Sequence, residues 1–133
     1  MTPILESDRP LSVLIVDDVP DQADSLAAVL NIHGYGTRSA HNGEDALEAV
    51  AASPPDVVFL DIGMPGMDGC ELARRLREAS AWKRPLMVAV SGQSEEADRT
   101  RTAEAGIDLH LAKPANPAVL VGVLERFRRV ISC

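Results

Sequence analysis

The chain has 133 residues, of which 46% are hydrophobic and 25% are charged, and its formal net charge at pH 7 is -7. This length fits one domain with its own core, and the hydrophobic fraction excludes a chain that is disordered throughout. The negative charge argues against direct binding of nucleic acid, whose phosphates require a positively charged surface.

Compartment and membrane signals are also informative. Cys70 and Cys133 do not form the pattern of a disulfide framework or a metal site. No apolar stretch approaches the ~20 residues that a membrane-spanning helix needs, so no membrane partner is predicted. The amino terminus has no basic segment followed by an apolar one, as an export signal would have. We therefore expect a reducing, cytoplasmic setting.

Strand-like and helix-like segments alternate along the chain after a polar lead-in. Residues 1–10 contain two prolines and no periodicity, which predicts a flexible segment before a domain over residues 11–131. The apolar runs are typical of parallel strands that are covered on both faces. In chain order the predicted strands are 11–16, 36–40, 57–60, 86–90 and 108–112.

Start signals precede each predicted helix. In chain order they are Pro20 in a first turn, Asn42 as an N-cap, Asp68 with Glu71 as a capping box, Ser94 at an acidic first turn, and Asn116 before Pro117. Five βα units in alternation predict an α/β fold, a doubly wound parallel sheet between two layers of helices. This is a three-layer sandwich.

Five polar residues stand where the predicted strands end. Asp17 and Asp18 follow the first strand, Asp61 the third, Ser91 the fourth and Lys113 the fifth. Because parallel strands present their carboxyl ends at one edge of a sheet, these side chains are expected to converge there. Three carboxylates, a hydroxyl and an ammonium suit a hard cation and a phosphoryl group.

The acidic residues predict a magnesium site. For a lone acidic pair, helix capping would be the better interpretation, but Asp61 on a neighbouring strand adds a third carboxylate. Three carboxylates so close repel one another unless a cation is present. Mg²⁺, with Mn²⁺ as a substitute, accepts carboxylates while retaining waters and phosphate oxygens. The glycine-rich loop 62–69 is able to direct a backbone carbonyl to the metal.

These groups predict phosphoryl transfer to a carboxylate. Taken singly, Lys113 is a surface residue and Ser91 a helix cap, but at one edge both suit phosphate oxygens. Asp61 is the best nucleophile candidate because it stands alone, facing the acid pair. A carboxylate nucleophile has no proton to lose, so no general base is required.

The chain resembles the receiver domain of two-component response regulators from Leu11 to about Val130. The most specific stretch is FLDIGMPGMDG, supported by IVDD, VSG and LAKP in the expected order and spacing. The resemblance implies a flavodoxin-like (βα)5 fold with strand order 2-1-3-4-5. It implies a signalling phospho-acceptor that catalyses its own phosphorylation and dephosphorylation but is not a turnover enzyme.

The resemblance also implies roles for individual residues. Asp61 would accept phosphate from a phosphohistidine of a histidine kinase or a histidine phosphotransfer protein. Asp18 would coordinate Mg²⁺ directly, Asp17 largely through water, and Gly63 through its backbone carbonyl. Lys113 would contact the phosphoryl group. The Lys113-Pro114 peptide bond is allowed to be cis, because proline follows it.

Two positions depart from the commonest family pattern. Ser91 fits the switch hydroxyl, but His110 replaces the usual aromatic switch residue on the fifth strand, and an imidazole is smaller and titratable. Gly63 leaves the position beside the phosphate without a side chain. We expect freer access of water there, modified by Gln93, and a phosphorylated state that does not last many hours in isolation.

Other functions fit less well. A magnesium-dependent phosphatase with an aspartyl nucleophile would place a second Asp where Gly63 stands. A flavin carrier would require an anionic phosphate among crowded carboxylates, and a relict interaction domain would not keep every key position filled. Residues 106–114 also resemble receivers attached to hybrid sensor kinases. A homodimer through the helix 94–105, the fifth strand and the last helix is a further hypothesis.

Overall fold

The strands and helices alternate as the sequence predicts. The computed structural model describes residues 10–79, 84–92 and 96–132, so the predicted lead-in lies outside the described residues apart from Pro10. The strands are β1 (Ser12–Val16), β2 (Gly36–Ala40), β3 (Val57–Asp61), β4 (Leu86–Ser91) and β5 (Leu109–Ala112). The helices are α1 (Pro20–Ile32), α2 (Gly43–Ala52), α3 (Gly69–Ala79), α4 (Glu96–Glu104) and α5 (Pro117–Ser132).

All neighbouring strands are parallel, in the order β2-β1-β3-β4-β5. This confirms the predicted order, with β1 beside β3. Register aligns the strand ends: Val16 pairs with Leu60, Asp61 with Val90, and Ser91 with Ala112. The first residues after β1 and β5 therefore lie beside the last residues of β3 and β4.

The core consists of two clusters, one on each face of the sheet. Because alternate strand residues point to opposite faces, Leu14 and Val58 join the cluster that packs with α2 and α3. Val13 and Val57 join the cluster that packs with α1 and α5. The sheet therefore lies between two helical layers, which confirms the predicted three-layer arrangement.

Several predicted helix starts are present. The side-chain oxygens of Asn42 and Asp68 each accept a hydrogen bond from a backbone N–H three residues along the chain, at 2.7 and 2.9 Å. Among the described residues, Glu71 does not complete the capping box and pairs instead with Arg75 at 3.1 Å. Ser94 lies outside the described residues, and α4 is described from Glu96. Among the residues described, no helix combines the length and apolar character that a bilayer crossing requires.

Helix α3 begins in close contact with the end of β3. A Cβ atom at Gly69 would lie 2.7 Å from the carbonyl oxygen of Asp61 and 2.8 Å from the Cα of Ile62. The backbone N–H of Gly69 also donates to the carbonyl oxygen of Ile62 at 3.1 Å. Only glycine allows this approach, and the contact fixes the backbone that carries Asp61.

Candidate functional site

The five polar residues predicted at strand ends lie together at the carboxyl edge of the sheet. A pocket of about 680 Å³ at this edge is lined by Asp18, Asp61, Ser91 and Lys113, among others. Asp17 lines an adjoining cavity that also reaches Asp61 and Lys113. The predicted convergence is therefore present in the structure.

Three carboxylates form the acidic part of this site. Asp17, Asp18 and Asp61 each offer an oxygen atom, and these atoms lie within 4.8 Å of one another. Asp17 and Asp61 are each only 7% exposed, so water screens their charges poorly. A donor set of clustered carboxylate oxygens fits a hard divalent cation such as Mg²⁺.

The environment of Asp17 shows the electrostatic strain in this cluster. Burial raises the pKa of its carboxyl group above the ordinary value, and the nearby charges of Asp61 and Asp18 raise it further. A hydrogen bond from the backbone N–H of Val19, at 2.9 Å, and the charge of Lys113 both act to lower this pKa. The net effect is a pKa above the ordinary value, because burial and the two neighbouring carboxylates outweigh these two contacts.

Both oxygens of Asp61 have hydrogen-bond donors. The Nζ atom of Lys113 lies 3.2 Å from Oδ2, and the backbone N–H of Gly63 donates to Oδ1 at 3.1 Å. A Cβ at Gly63 would lie 3.9 Å from Oδ1, so a side chain at this position would stand beside the carboxylate. The open side that the sequence predicts next to Asp61 is therefore present.

The ends of β4 and β5 position Ser91 and Lys113. The backbone N–H of Lys113 donates to the carbonyl oxygen of Ser91 at 2.8 Å, which extends the pairing of the two strands by one step. The Lys113-Pro114 peptide bond is cis, as the family resemblance allows. Ser91 is 7% exposed and lines the pocket with Gly92.

His110, the candidate switch residue, lies on β5 opposite Ala89. The side chain is half-buried, and neither ring nitrogen has a hydrogen-bond partner among the residues that the structure describes. The imidazole is therefore inward, as a switch residue would be, but its polar atoms find no partner in the described part of the chain. Gln93, predicted to modify the access of water, lies outside the described residues.

Two further residues line the pocket and were not predicted there. Asp68 was assigned only a capping role, and Arg101 was assigned none, yet both reach the pocket that contains Asp61. The Nη2 atom of Arg101 lies 3.0 Å from Oδ2 of Asp68, which links α4 to the loop before α3. Asp68 could have been predicted at the pocket, because it lies in the loop that follows Asp61. Nothing in the sequence distinguishes Arg101 from the other polar residues on α4.

Comparison with known proteins identifies the family. The sequence matches the response regulator receiver domain family over residues 13–125. The response regulator MprA of Mycolicibacterium vanbaalenii is 35% identical over 122 residues, which cover 92% of this chain and 51% of the relative. The transcriptional regulatory protein KdpE of Mycobacterium tuberculosis is 35% identical over 102 residues, covering 77% of this chain and 44% of the relative.

A solved structure supports the same assignment. The chemotaxis protein CheY4 of Vibrio cholerae superimposes with a TM-score of 0.83 at 27% identity, covering 89% of this chain and 98% of CheY4. By contrast, the chain spans about half the length of MprA and KdpE. The strand order, the acidic pocket and the sequence match agree, and the chain belongs to the receiver domain family of two-component response regulators.

Proposed function

We propose that residues 11–131 form a cytoplasmic phospho-acceptor domain that takes a phosphoryl group from a phosphohistidine onto Asp61. The observation that carries this proposal is the position of the Asp61 carboxylate, 3.2 Å from the Lys113 ammonium and within 4.8 Å of the acid pair. The side chain stands at the sheet edge of a receiver domain. The domain acts as a signalling acceptor and not as a turnover enzyme.

The pocket residues divide the chemistry among them. One oxygen of Asp61 forms a bond to phosphorus as the P–N bond of the phosphohistidine breaks, and the imidazole nitrogen leaves with the electron pair. Asp17, Asp18, Asp61 and the backbone carbonyl of Gly63 would hold Mg²⁺ (or Mn²⁺), which would neutralise charge on the phosphoryl oxygens. The Lys113 ammonium, already beside the acceptor, donates to a phosphoryl oxygen.

Ser91 and His110 are the proposed switch residues. The Ser91 hydroxyl, at the pocket wall, donates to another phosphoryl oxygen and so responds to the presence of the group. His110 lies on the adjacent strand, two residues before the Ala112 that pairs with Ser91. A movement of Ser91 would therefore act on β5, the strand that contains His110.

An apolar cavity next to Asp61 suits the docking of the phosphate donor. Its volume is about 700 Å³, and it lies between α1 and the segment after β5. Leu26 and Val29 of α1 line one side, and Pro114 and Leu120 line the other. A helix of a histidine kinase or a histidine phosphotransfer protein would bury its apolar face here and bring its phosphohistidine to Asp61.

A second partner surface is proposed for a homodimer through the helix 94–105, β5 and α5. Leu109 of β5 and Val119 of α5 are 44% and 47% exposed, which is high for aliphatic side chains. Apolar side chains of both elements are therefore available to such an interface.

The direct test is incubation with acetyl phosphate and Mg²⁺ followed by measurement of the intact mass. We expect one phosphate adduct on the parent chain, and none after Asp61→Asn or when the metal is chelated. Glu48→Gln, which alters an exposed carboxylate on α2, is the matched control and should be phosphorylated like the parent. An adduct that persists in Asp61→Asn would exclude Asp61 as the acceptor.

A further inference from the structure

Arg101 of α4 reaches the rim of the pocket that contains Asp61. Its guanidinium lies 3.0 Å from Oδ2 of Asp68, and both side chains remain partly exposed, at 52% and 37%. The other oxygen of Asp68 accepts the backbone N–H of Glu71 at 2.9 Å, as the N-cap of α3. Asp68 is therefore fixed by the start of a helix, and it holds the guanidinium of Arg101, which lines the pocket.

The charges around this pocket leave a role for a second cation. The walls of the pocket and the acid cluster together contain four carboxylates, those of Asp17, Asp18, Asp61 and Asp68. Lys113 and Arg101 are the cationic side chains among the described residues that line the pocket, and Lys113 already contacts Asp61 at 3.2 Å. One divalent cation neutralises two of the four negative charges of these carboxylates. The other two negative charges are neutralised only when both Lys113 and Arg101 contribute their positive charges. A phosphate donor, itself an anion, would be repelled without Arg101.

We propose that Arg101 binds the phosphoryl oxygens of the incoming donor and, after transfer, those of phosphorylated Asp61. This inference rests on the proposed function. The guanidinium fork fits carboxylate and phosphate oxygens equally well, so it exchanges Asp68 for a phosphoryl oxygen when one arrives. An ion pair as exposed as this one contributes little net free energy, so the exchange costs little.

The proposal gives Asp68 and Arg101 different effects on the reaction. If Arg101 binds the donor, the loss of Arg101 slows phosphorylation, whereas loss of the Asp68 charge removes a group that competes with the donor for the guanidinium. If the ion pair only tethers α4 to the loop before α3, the loss of either residue has the same effect. The two variants therefore separate anion binding from tethering.

The first experiment measures the phosphorylation rate by intact mass as a function of acetyl phosphate concentration with Mg²⁺. We expect Arg101→Ala to reduce the second-order rate constant about tenfold, mainly by raising the donor concentration at half-maximal rate. Arg101→Lys should be intermediate. Asp68→Asn retains a capping oxygen and should match or exceed the parent rate.

Arg75→Ala is the matched control, since Arg75 is also a half-exposed arginine in an ion pair, with Glu71 on α3. It should react like the parent. The proposal is overturned if Arg101→Ala reacts like Arg75→Ala, or if Arg101→Ala and Asp68→Asn are slowed equally. Thermal unfolding of each variant checks that the fold is retained.

The second experiment separates this inference from the proposed function. Inorganic phosphate is titrated with Mg²⁺ into Asp61→Asn, with and without Arg101→Ala, and binding is followed by backbone amide NMR shifts. We expect phosphate to bind about tenfold more weakly when Arg101 is absent. If the parent is inert to acetyl phosphate but phosphate binding depends on Arg101, the proposed function fails, and of this inference only the binding of phosphate by Arg101 stands. Binding that is undetectable, or equal in the two variants, would overturn the inference alone.

Discussion

Asp61 is oriented through its backbone and through both of its carboxylate oxygens. The residue ends β3, where it pairs with Val90 of β4, and α3 begins against its carbonyl oxygen through Gly69. Its oxygens contact the Lys113 ammonium and the Gly63 N–H. Because these contacts are already present, little reorganisation of Asp61 would be required in the proposed phosphoryl transfer.

His110 gives a prediction about stability. Both ring nitrogens are buried and lack a partner among the described residues, and an unsatisfied buried polar group costs about 1–3 kcal/mol. We expect His110→Phe to raise the free energy of unfolding by about 1 kcal/mol, since the ring shape is kept and the polar atoms are removed. Urea denaturation at pH 7 provides the measurement.

His33 is the control for this substitution. Its ring is exposed and contacts the carbonyl oxygen of Val29 at 3.0 Å, so His33→Phe should bring no gain in stability. A lower free energy of unfolding for His110→Phe would mean that the buried imidazole has partners or that the site has no room for the larger ring.

The sequence predicted some site residues and not others for a physical reason. Asp17, Asp18, Asp61 and Lys113 were found because each is attached next to the end of a strand, where the backbone alone sets its position. Arg101 was missed because a long side chain on a helix reaches the pocket only when the helix is correctly placed. That placement depends on packing, which residue spacing does not reveal.

At the scale of elements, a small polar cluster joins α1 to β2 and the segment that follows it. Asp24 of α1 accepts the Ser39 hydroxyl at 2.7 Å and contacts Nε2 of His41 at 3.1 Å. These interactions hold the pKa of the Asp24 carboxyl below its ordinary value of 3.8, and the hydrogen bond from Ser39 has the larger effect. The cluster therefore favours the ionised form of Asp24 in the folded protein.

This cluster predicts a dependence of stability on pH. Because the pKa of Asp24 is lower in the folded than in the unfolded chain, its contribution to stability is present above pH 3.8 and is lost as the pH falls through the lower, folded value. Ser39→Ala should raise the pKa of Asp24 toward 3.8 and reduce this contribution. NMR titration of the Asp24 carboxyl carbon, with urea unfolding across the same range, measures both effects.

Ser25→Ala is the control, since Ser25 is exposed on the same helix. It should leave the titration of Asp24 unchanged. The free energies of unfolding of Ser39→Ala and the parent are compared from neutral pH to well below pH 3.8. If their difference does not change over this range, the charge of Asp24 does not cause the difference.

The starts of the helices show which features local sequence signals predict correctly and which they do not. Pro20 and Pro117 each open a helix as predicted, because proline at a first turn leaves no donor unsatisfied. The capping box at Asp68 was only half right, because Glu71 is drawn to Arg75. Competition between nearby partners is not encoded in the spacing of the motif.

At the scale of the whole molecule, the alternation of apolar runs predicted the layers, while the strand order rested on the family resemblance. Val13 and Leu14 show how the runs predict the layers. Both residues are fully buried on opposite faces of the sheet, and this requires helices on each side of β1. The runs do not say which strand lies next to which. Pairing between β1 and β3 is a long-range contact, and it is this pairing that brings Asp61 to the acid pair.

The apolar core stabilises a pocket that is itself unfavourable. Strands buried on both faces force Asp17 into a site where it is 7% exposed, close to two other carboxylates. Residues arranged for binding commonly cost stability in this way. This loss of stability should disappear when a cation binds or when one of the carboxylate charges is removed. Both effects can be measured in one experiment.

We therefore predict that Asp17→Asn is more stable than the parent without metal and less responsive to Mg²⁺. Removing the charge relieves repulsion of about 1 kcal/mol, while the Asn oxygen still accepts the Val19 N–H. For a chain of this size, 1 kcal/mol corresponds to a rise in melting temperature of about 3 °C. Mg²⁺ should raise the melting temperature of the parent, because a ligand that binds only the folded state stabilises it.

Thermal unfolding with chelator and with added MgCl₂ measures both effects, and Glu48→Gln controls for the loss of any acidic charge. That control should respond to Mg²⁺ like the parent and gain nothing in chelator. If Asp17→Asn were less stable than the parent in chelator, the carboxylate would be structural and the acid cluster would not be strained. If Mg²⁺ left the parent unchanged, the three carboxylates would not form a magnesium site, whatever their spacing.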